Sequence, residues 1–290
     1  RDNLSQSFQL AQEMERYGLT ESEFNDILDV KNPYTKYWNQ LPVLGVMGVR
    51  TGVVDWVNDS EKNIHAPWGW NGFNNNFFSK ETGGISQYDF NVSFNIEDRV
   101  YLGATLGVYD VNYDRYTSYT ENLNDDNGAD NGGYTLDNYY RLEGTGMDLK
   151  LGVIIRPIES SPFRLGFAVH TPTWYDLRES YNAALSSNIL ACEAPYNQTL
   201  SDFLVTPEYD YLTYDYNLTT PWKFNISAGT TFAGAVAVGA EYEYQDYSSS
   251  KLKDVDGYEL GDQPSVENYL KGVHTFRIGM ETRIIPESVS

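Results

Sequence analysis

Residues 147–155 read MDLKLGVII: Met147, Leu149, Leu151, Val153 and Ile155 stand at odd positions, and Asp148, Lys150, Gly152 and Ile154 at even ones. A period of two is the signature of a β-strand, whose successive side chains point to opposite faces. Six further stretches share the pattern. Tyr88, Phe90, Val92, Phe94 and Ile96 alternate with Asp89, Asn91, Ser93 and Asn95; Leu102, Ala104, Leu106 and Val108 alternate with Gly103, Thr105 and Gly107. The others are built on Leu165–Phe167–Val169, on Phe224–Ile226–Ala228, on Val236–Val238–Ala240 and on Phe276–Ile278–Met280. The apolar set shifts phase near Tyr109–Asp110, where Val111 and Tyr113 take over, as a β-bulge would produce.

The connections alternate short and long. Tight turns are expected at Glu97–Asp98, Pro157–Pro162 and Ala233–Gly234, and long polar loops at about 114–143, 171–219 and 246–272. Ten residues at ~3.3 Å each, tilted by ~45°, span roughly the ~25 Å apolar band of an outer membrane, and short turns opposite long loops are the habit of transmembrane β-barrels. The chain is therefore expected to be all-β: an antiparallel transmembrane β-barrel over 86–290, with long extracellular loops. Seven strands are an odd number and cannot close an antiparallel barrel, so an interior segment of a longer protein is expected.

Composition narrows the function classes. The 290 residues carry 20 Lys+Arg against 41 Asp+Glu, a net charge of −21, which disfavours a nucleic-acid partner that needs clustered positive charge. Mean hydropathy is −0.49 and no run of ~18 apolar residues occurs, which excludes a spanning helix but not a barrel. Aromatic residues make up 15%, with 24 Tyr, and Tyr and Trp suit a site that is apolar at one end and wet at the other. Cys192 is the single cysteine, so no intrachain disulfide forms.

Residues 1–85 differ from the rest and are expected to form a partly helical extracellular cap. Phe8, Leu10, Ala11 and Met14 have helical spacing, as do Leu19, Phe24, Ile27 and Leu28, and Thr20 with Glu23 resembles a capping box. Residues 41–57 (LPVLGVMGVRTGVVDWV) read equally as a Gly-rich helix or a strand. The aromatic, Asn-rich 66–78 reads as an irregular loop.

The face opposite the apolar one carries Asp148, Lys150, Arg164, His170, Glu241, Glu243, Arg277, Glu281 and Arg283. Ionised groups in a dry core cost several kcal/mol each unless paired. A polar barrel lumen removes that cost, and so does a soluble sheet with one wet face. The first of these is favoured because every long connection falls at one end.

Three stretches, DRVYLGATLGVYDVNY (98–113), GTGMDLKLGVIIRP (144–157) and FRLGFAVHTPTWYDL (163–177), resemble the FadL/TodX family of outer-membrane transporters, in its Bacteroides-type versions. The similarity runs over roughly 86–285. It implies a fourteen-stranded barrel in the outer membrane of a Gram-negative bacterium, carrying hydrophobic molecules such as long-chain fatty acids or aromatics inward by passive diffusion. It also implies an N-terminal plug, an extracellular hydrophobic groove and lateral release through a strand kink. The sequence has about half the implied strands and no recognisable plug, so no gating residue is carried over.

The candidate ligand-binding residues follow from position. His170, Trp174 and Tyr175 end a strand at the loop-side rim and read as an entry lip, or as a Pro172-stopped terminus with its aromatics in the interfacial girdle. Trp68, Trp70, Phe73, Phe77 and Phe78 read as a groove for an alkyl chain, worth ~0.8 kcal/mol per buried CH2, or as loop packing on the rim. Asn124–Gly133 and Asp254–Gly257 lack the spacing of a calcium loop. No metal, cofactor or catalytic constellation is expected, and the expected partners are a hydrophobic small molecule and outer-membrane lipid. Two rival readings remain: a barrel scaffold serving surface-complex proteins, and a soluble aromatic-rich β protein that binds glycans.

Overall fold

The computed structural model describes residues 6–28, 37, 40–56, 64–65, 74–124, 128–189, 212–233 and 235–282. Three helices come first: α1 (Gln6–Glu15), α2 (Glu21–Ile27) and α3 (Val43–Arg50). Short strands β1 (Asp55–Trp56) and β2 (Ile64–His65) pair with each other. The main strands are β3 (Asn74–Ile96), β4 (Val100–Asn124), β5 (Asp130–Ile155), β6 (Arg164–His170), β7 (Trp174–Ser187), β8 (Leu212–Thr219), β9 (Lys223–Phe232), β10 (Val236–Asp246), β11 (Lys251–Asp254) and β12 (Gly272–Thr282). Helix α4 (Gln263–Tyr269) precedes the last of them.

The all-β expectation holds, with ten strands in one sheet among the described residues rather than about seven. The described registers are antiparallel. The sheet runs β11-β8-β7-β5-β6-β9-β10-β12, with β4 also on β5 and β3 on β4. Among the described residues β3 pairs only with β4 and β12 only with β10, so the sheet is open. Both β6 and β7 pair with β5, and a Thr171–Thr173 break separates them.

Three expected boundaries need correction. The loop placed at 114–143 is largely strand, since β4 continues to Asn124 and β5 starts at Asp130. The loop placed at 171–219 contains β7 and β8, and β3 begins at Asn74, inside the expected cap. These segments have Tyr, Thr and Asn on both faces, which hides the alternation although Tyr and Thr favour strands. The 246–272 connection holds a 3-10 turn (Tyr247–Ser249), β11 and α4. The tight turn is where expected, with Glu97 and Asp98 both at positive φ (51° and 54°), as a two-residue hairpin demands. Val111 is buried rather than joining the exposed apolar set.

The chain divides into two compact units. The first comprises 1–82, 114–141 and 180–213. Its helices are locally encoded: Glu23 N donates to Thr20 Oγ1 (3.3 Å) and Thr20 N to Glu23 Oε2 (2.9 Å), completing the expected capping box. The ambiguous 41–57 segment contains the helix α3. A Cβ on Gly45 would lie 2.3 Å from Met14 Sδ, so glycine lets α1 and α3 approach closely. Leu10, Met14, Phe24, Ile27, Val46 and Val49 form one core, and Met47 joins a second with Leu123, Tyr134, Leu136, Ala183 and Leu185. Glu121 is fully buried there and accepts from the hydroxyls of Tyr119 and Tyr134.

The second unit comprises 83–113, 142–179 and 214–290. Its registers sort the residues by face. One lane reads Val153–Phe167–Ile226–Tyr242–Phe276 across β5, β6, β9, β10 and β12; the next reads Leu151–Val169–Phe224–Tyr244–His274. The intervening lanes, on the other face, read Lys150–His170–Lys223–Gln245 and Ile154–Gly166–Ser227–Glu241–Arg277. A further lane on that face, Arg164–Gly229–Gly239–Gly279, has glycine on three neighbouring strands. The apolar face stays open: Phe276, Ile278 and Met280 are 75%, 86% and 71% exposed.

Candidate functional site

The polar face of the second unit gathers the charged residues that the alternation singled out. At its centre Asp148 is only 5% exposed. Its Oδ2 accepts from Tyr109 Oη (2.8 Å) and Thr173 Oγ1 (3.4 Å). Lys150 Nζ lies 3.9 Å from Asp148 Oδ1 and 3.2 Å from Asp89 Oδ1, and stands 5.9 Å from the centre of the Tyr109 ring. Gly107 makes room for this group, because a Cβ there would come 2.3 Å from Asp148 Oδ1. Buried carboxylates persist when hydrogen-bonded and paired; here Oδ2 takes both hydrogen bonds, while Oδ1 has the Lys150 ammonium nearby but no hydrogen bond.

A second cluster sits on β9, β10 and β12. Arg277 Nη1 bridges Glu241 and Glu243, the latter at 3.2 Å, and Lys223 Nζ lies 3.9 Å from Glu243. Asn225 Nδ2 donates to Glu241 Oε1 at 2.9 Å and to Glu243 Oε2 at 3.3 Å. His170 lies between the clusters, directly opposite Lys150 on one side and Lys223 on the other. Arg164 stacks on the Tyr101 ring at 5.6 Å. A cleft of about 510 Å³ is lined by Ser93, Thr105, Lys150, His170, Asn225 and Glu241, with Gly152, Gly166 and Ala168 between them.

Asp148, Lys150, Arg164, His170, Glu241, Glu243, Arg277 and Glu281 thus share one face, by register and by contact. Arg283 lies outside the described residues. The proposed lip is split by strand alternation. Tyr175 packs at 5.7 Å from the Tyr109 ring and against Gly146, beside the Asp148 cluster, whereas Trp174 is exposed. Phe77 and Phe78 are exposed residues of β3, not of a loop, and Phe78 lies 6.1 Å from Tyr116 in the first unit. Trp68, Trp70 and Phe73 lie outside the described residues.

Sequence reasoning missed Asp89, Tyr109, Thr173, Lys223 and Asn225. Lys223 and Asn225 stand at the alternate positions of β9, so the strand period alone could have nominated them. Asp89 and Tyr109 required the β3–β4–β5 register.

Burial lifts the Tyr181 hydroxyl to about 12. Arg178 beside Asp215 (2.6 Å) holds that carboxyl below its usual range. Among the described residues no helix is long and apolar enough to cross a membrane, which says nothing about strands. No protein-family model matches the chain, and no curated protein matches its sequence.

Proposed function

We propose that the chain forms the wall of an outer-membrane β-barrel that admits hydrophobic small molecules, such as long-chain fatty acids or aromatic compounds, by passive diffusion. The observation that carries this reading is the two-faced sheet. Apolar lanes on neighbouring strands line up in register yet remain exposed, while the opposite face holds its charges in pairs. At ~25 cal/mol per Å² of apolar area, a continuous greasy surface left in water is a large cost, which hydrocarbon tails remove. A polar inner face is the ordinary complement of a lipid-covered outer one. The open edges of β3 and β12 fit a sheet completed by additional strands into a closed barrel. The outer membrane of a Gram-negative bacterium is the location proposed with this reading.

The test has two arms. Spin labels at Phe276 and Ile278 in lipid vesicles are expected to be relaxed by oxygen and shielded from a water-soluble nickel chelate. Cells displaying the chain in their outer membrane are expected to accumulate labelled oleate faster than cells without it. Free access of the chelate to both labels would remove the membrane reading. Unchanged oleate uptake with shielded labels would remove the cargo alone.

A further inference from the structure

We infer that the polar face of the second unit holds a binding site for the hydroxyl end of an aromatic alcohol, a phenol in the simplest case. The inference rests on the membrane reading above and narrows its cargo to aromatic molecules that keep one neutral hydroxyl. Three observations support it.

First, Asn225 is held in one orientation and left with a spare acceptor. Its Nδ2 donates to Glu241 Oε1 at 2.9 Å and to Glu243 Oε2 at 3.3 Å. Ionised carboxylates only accept, so the amide nitrogen has to face them, and Oδ1 occupies the other branch. That oxygen is buried and has no hydrogen-bond partner among the described residues. A buried acceptor left without a donor is unfavourable, and a ligand O–H relieves it.

Second, the free group beside it is of the complementary kind. The His170 imidazole makes no hydrogen bond among the described residues. His170 stands directly opposite Lys223 on β9, and Asn225 is two residues further along that strand, so His170 and Asn225 are diagonal neighbours on one face. The cations around them are already engaged, Lys150 by Asp89 and Asp148, and Lys223 and Arg277 by Glu243. What remains is one acceptor and one imidazole, whose two nitrogens can donate and accept. A hydroxyl does both and satisfies the pair, whereas a bare hydrocarbon offers nothing to either.

Third, the ground beside these two groups is low and open. Gly152 faces Ala168 across β5 and β6, and Ala168 faces Asn225 in turn. With Gly166 they floor the cleft of about 510 Å³ that His170 and Asn225 line. A Cβ placed on Gly152 meets nothing nearer than 3.8 Å, so the space above it is open. Glycine within a strand lets a ligand approach the backbone closely, and a floor without long side chains accepts the flat face of a ring. The ring lies over Gly152 and Ala168, with its hydroxyl between His170 and Asn225.

The experiment is equilibrium dialysis of the purified chain in detergent micelles against 2-naphthol and against naphthalene, its twin without the hydroxyl, with protein-free micelles as the blank. Saturable binding of 2-naphthol is expected, about fivefold or more tighter than that of naphthalene, as one hydrogen bond provides. Asn225→Leu is expected to bring the two affinities together. Gly152→Val, whose side chain enters the floor, is expected to weaken both. Asn225→Leu also takes a donor from Glu241 and Glu243, so the ratio of the two ligands and the Gly152→Val protein separate a lost contact from a lost fold. Equal affinities in the unsubstituted protein overturn the inference, as does 2-naphthol binding that neither substitution weakens. A preference that Asn225→Leu abolishes, in protein whose Phe276 and Ile278 labels are open to the nickel chelate, keeps the hydroxyl site and sinks the membrane reading. Shielded labels without the preference do the reverse.

Discussion

The backbone amide of Thr173 donates to the hydroxyl of Thr220 at 2.7 Å, and the amide of Thr220 returns a bond to the Thr173 carbonyl at 3.0 Å. Each threonine adjoins a proline, Pro172 and Pro221, at the point where one strand gives way to the next. A proline removes a ladder donor, so an interruption in a sheet leaves backbone groups to be satisfied elsewhere. Two interruptions side by side satisfy each other. The Thr220→Val change keeps the shape and deletes the acceptor for the Thr173 amide. A loss of about 1–3 kcal/mol is expected, because a buried donor is left unbonded. Denaturant midpoints of the two proteins in the same detergent measure it, and equal midpoints would show that water takes the hydroxyl's place.

Adjacent residues of β9 should respond oppositely to the same charge. Ile226 lies in the exposed apolar lane and Ser227 in the polar one. In a bilayer Ile226→Arg is expected to cost about 2–4 kcal/mol if it sits near midplane, and Ser227→Arg far less. Unfolding from lipid vesicles gives both values, and similar costs would contradict the assignment of faces.

Gly107 and Asp148 should be energetically coupled. The Gly107→Ala methyl would meet Asp148 Oδ1, so the carboxylate must shift away from Tyr109 and Thr173. Gly107→Ala should therefore destabilise the native protein yet be nearly silent in an Asp148→Ala background. A double-mutant cycle reads the difference, expected at about 0.5–3 kcal/mol for residues in contact. Additive effects would mean that the glycine is there for the backbone alone.

Tyr181 gives the first unit an alkaline limit. Its hydroxyl donates to Asn138 Oδ1 at 2.7 Å, and burial lifts its titration to about 12, against an ordinary tyrosine near 10. The folded state binds the proton more tightly than the unfolded one. The associated stability is whole below pH ~10 and is lost as pH climbs from there through the raised value. Ultraviolet titration of Tyr181→Phe should lose one of the late-ionising phenols. The substitution should also flatten the fall in stability over that interval. A late part of the titration unchanged by the substitution would show that Tyr181 is not among the late phenols.

The alternating strands are legible in the sequence where one face is greasy and the other is not. Leu151, Phe167, Ile226 and Ile278 stand out because Lys150, Ala168, Ser227 and Arg277 contrast with them. Past Tyr113 that contrast disappears. Tyr116, Tyr119, Thr117 and Thr120 occupy both faces, so β4 continues without a hydropathy signal. Helix α3 was ambiguous for a related reason: Gly45 and Gly48 lower helix propensity, and the close approach of Met14 that calls for Gly45 is a tertiary fact. The polar face was half legible. Glu241, Glu243 and Arg277 follow from period alone. The Asp89–Lys150–Asp148–Tyr109 group depends on which strands are neighbours and in what register. No single strand encodes that.

The three glycines aligned on β9, β10 and β12 leave a bare latitude across the polar face, with Arg164 at its end. Side chains on the inside of a curved wall crowd as the wall tightens, and a stripe without them is where it can coil most sharply. The same omission that opens the cleft of about 450 Å³ therefore leaves the ribbon free to bend there, so that hollow and hinge have a common origin.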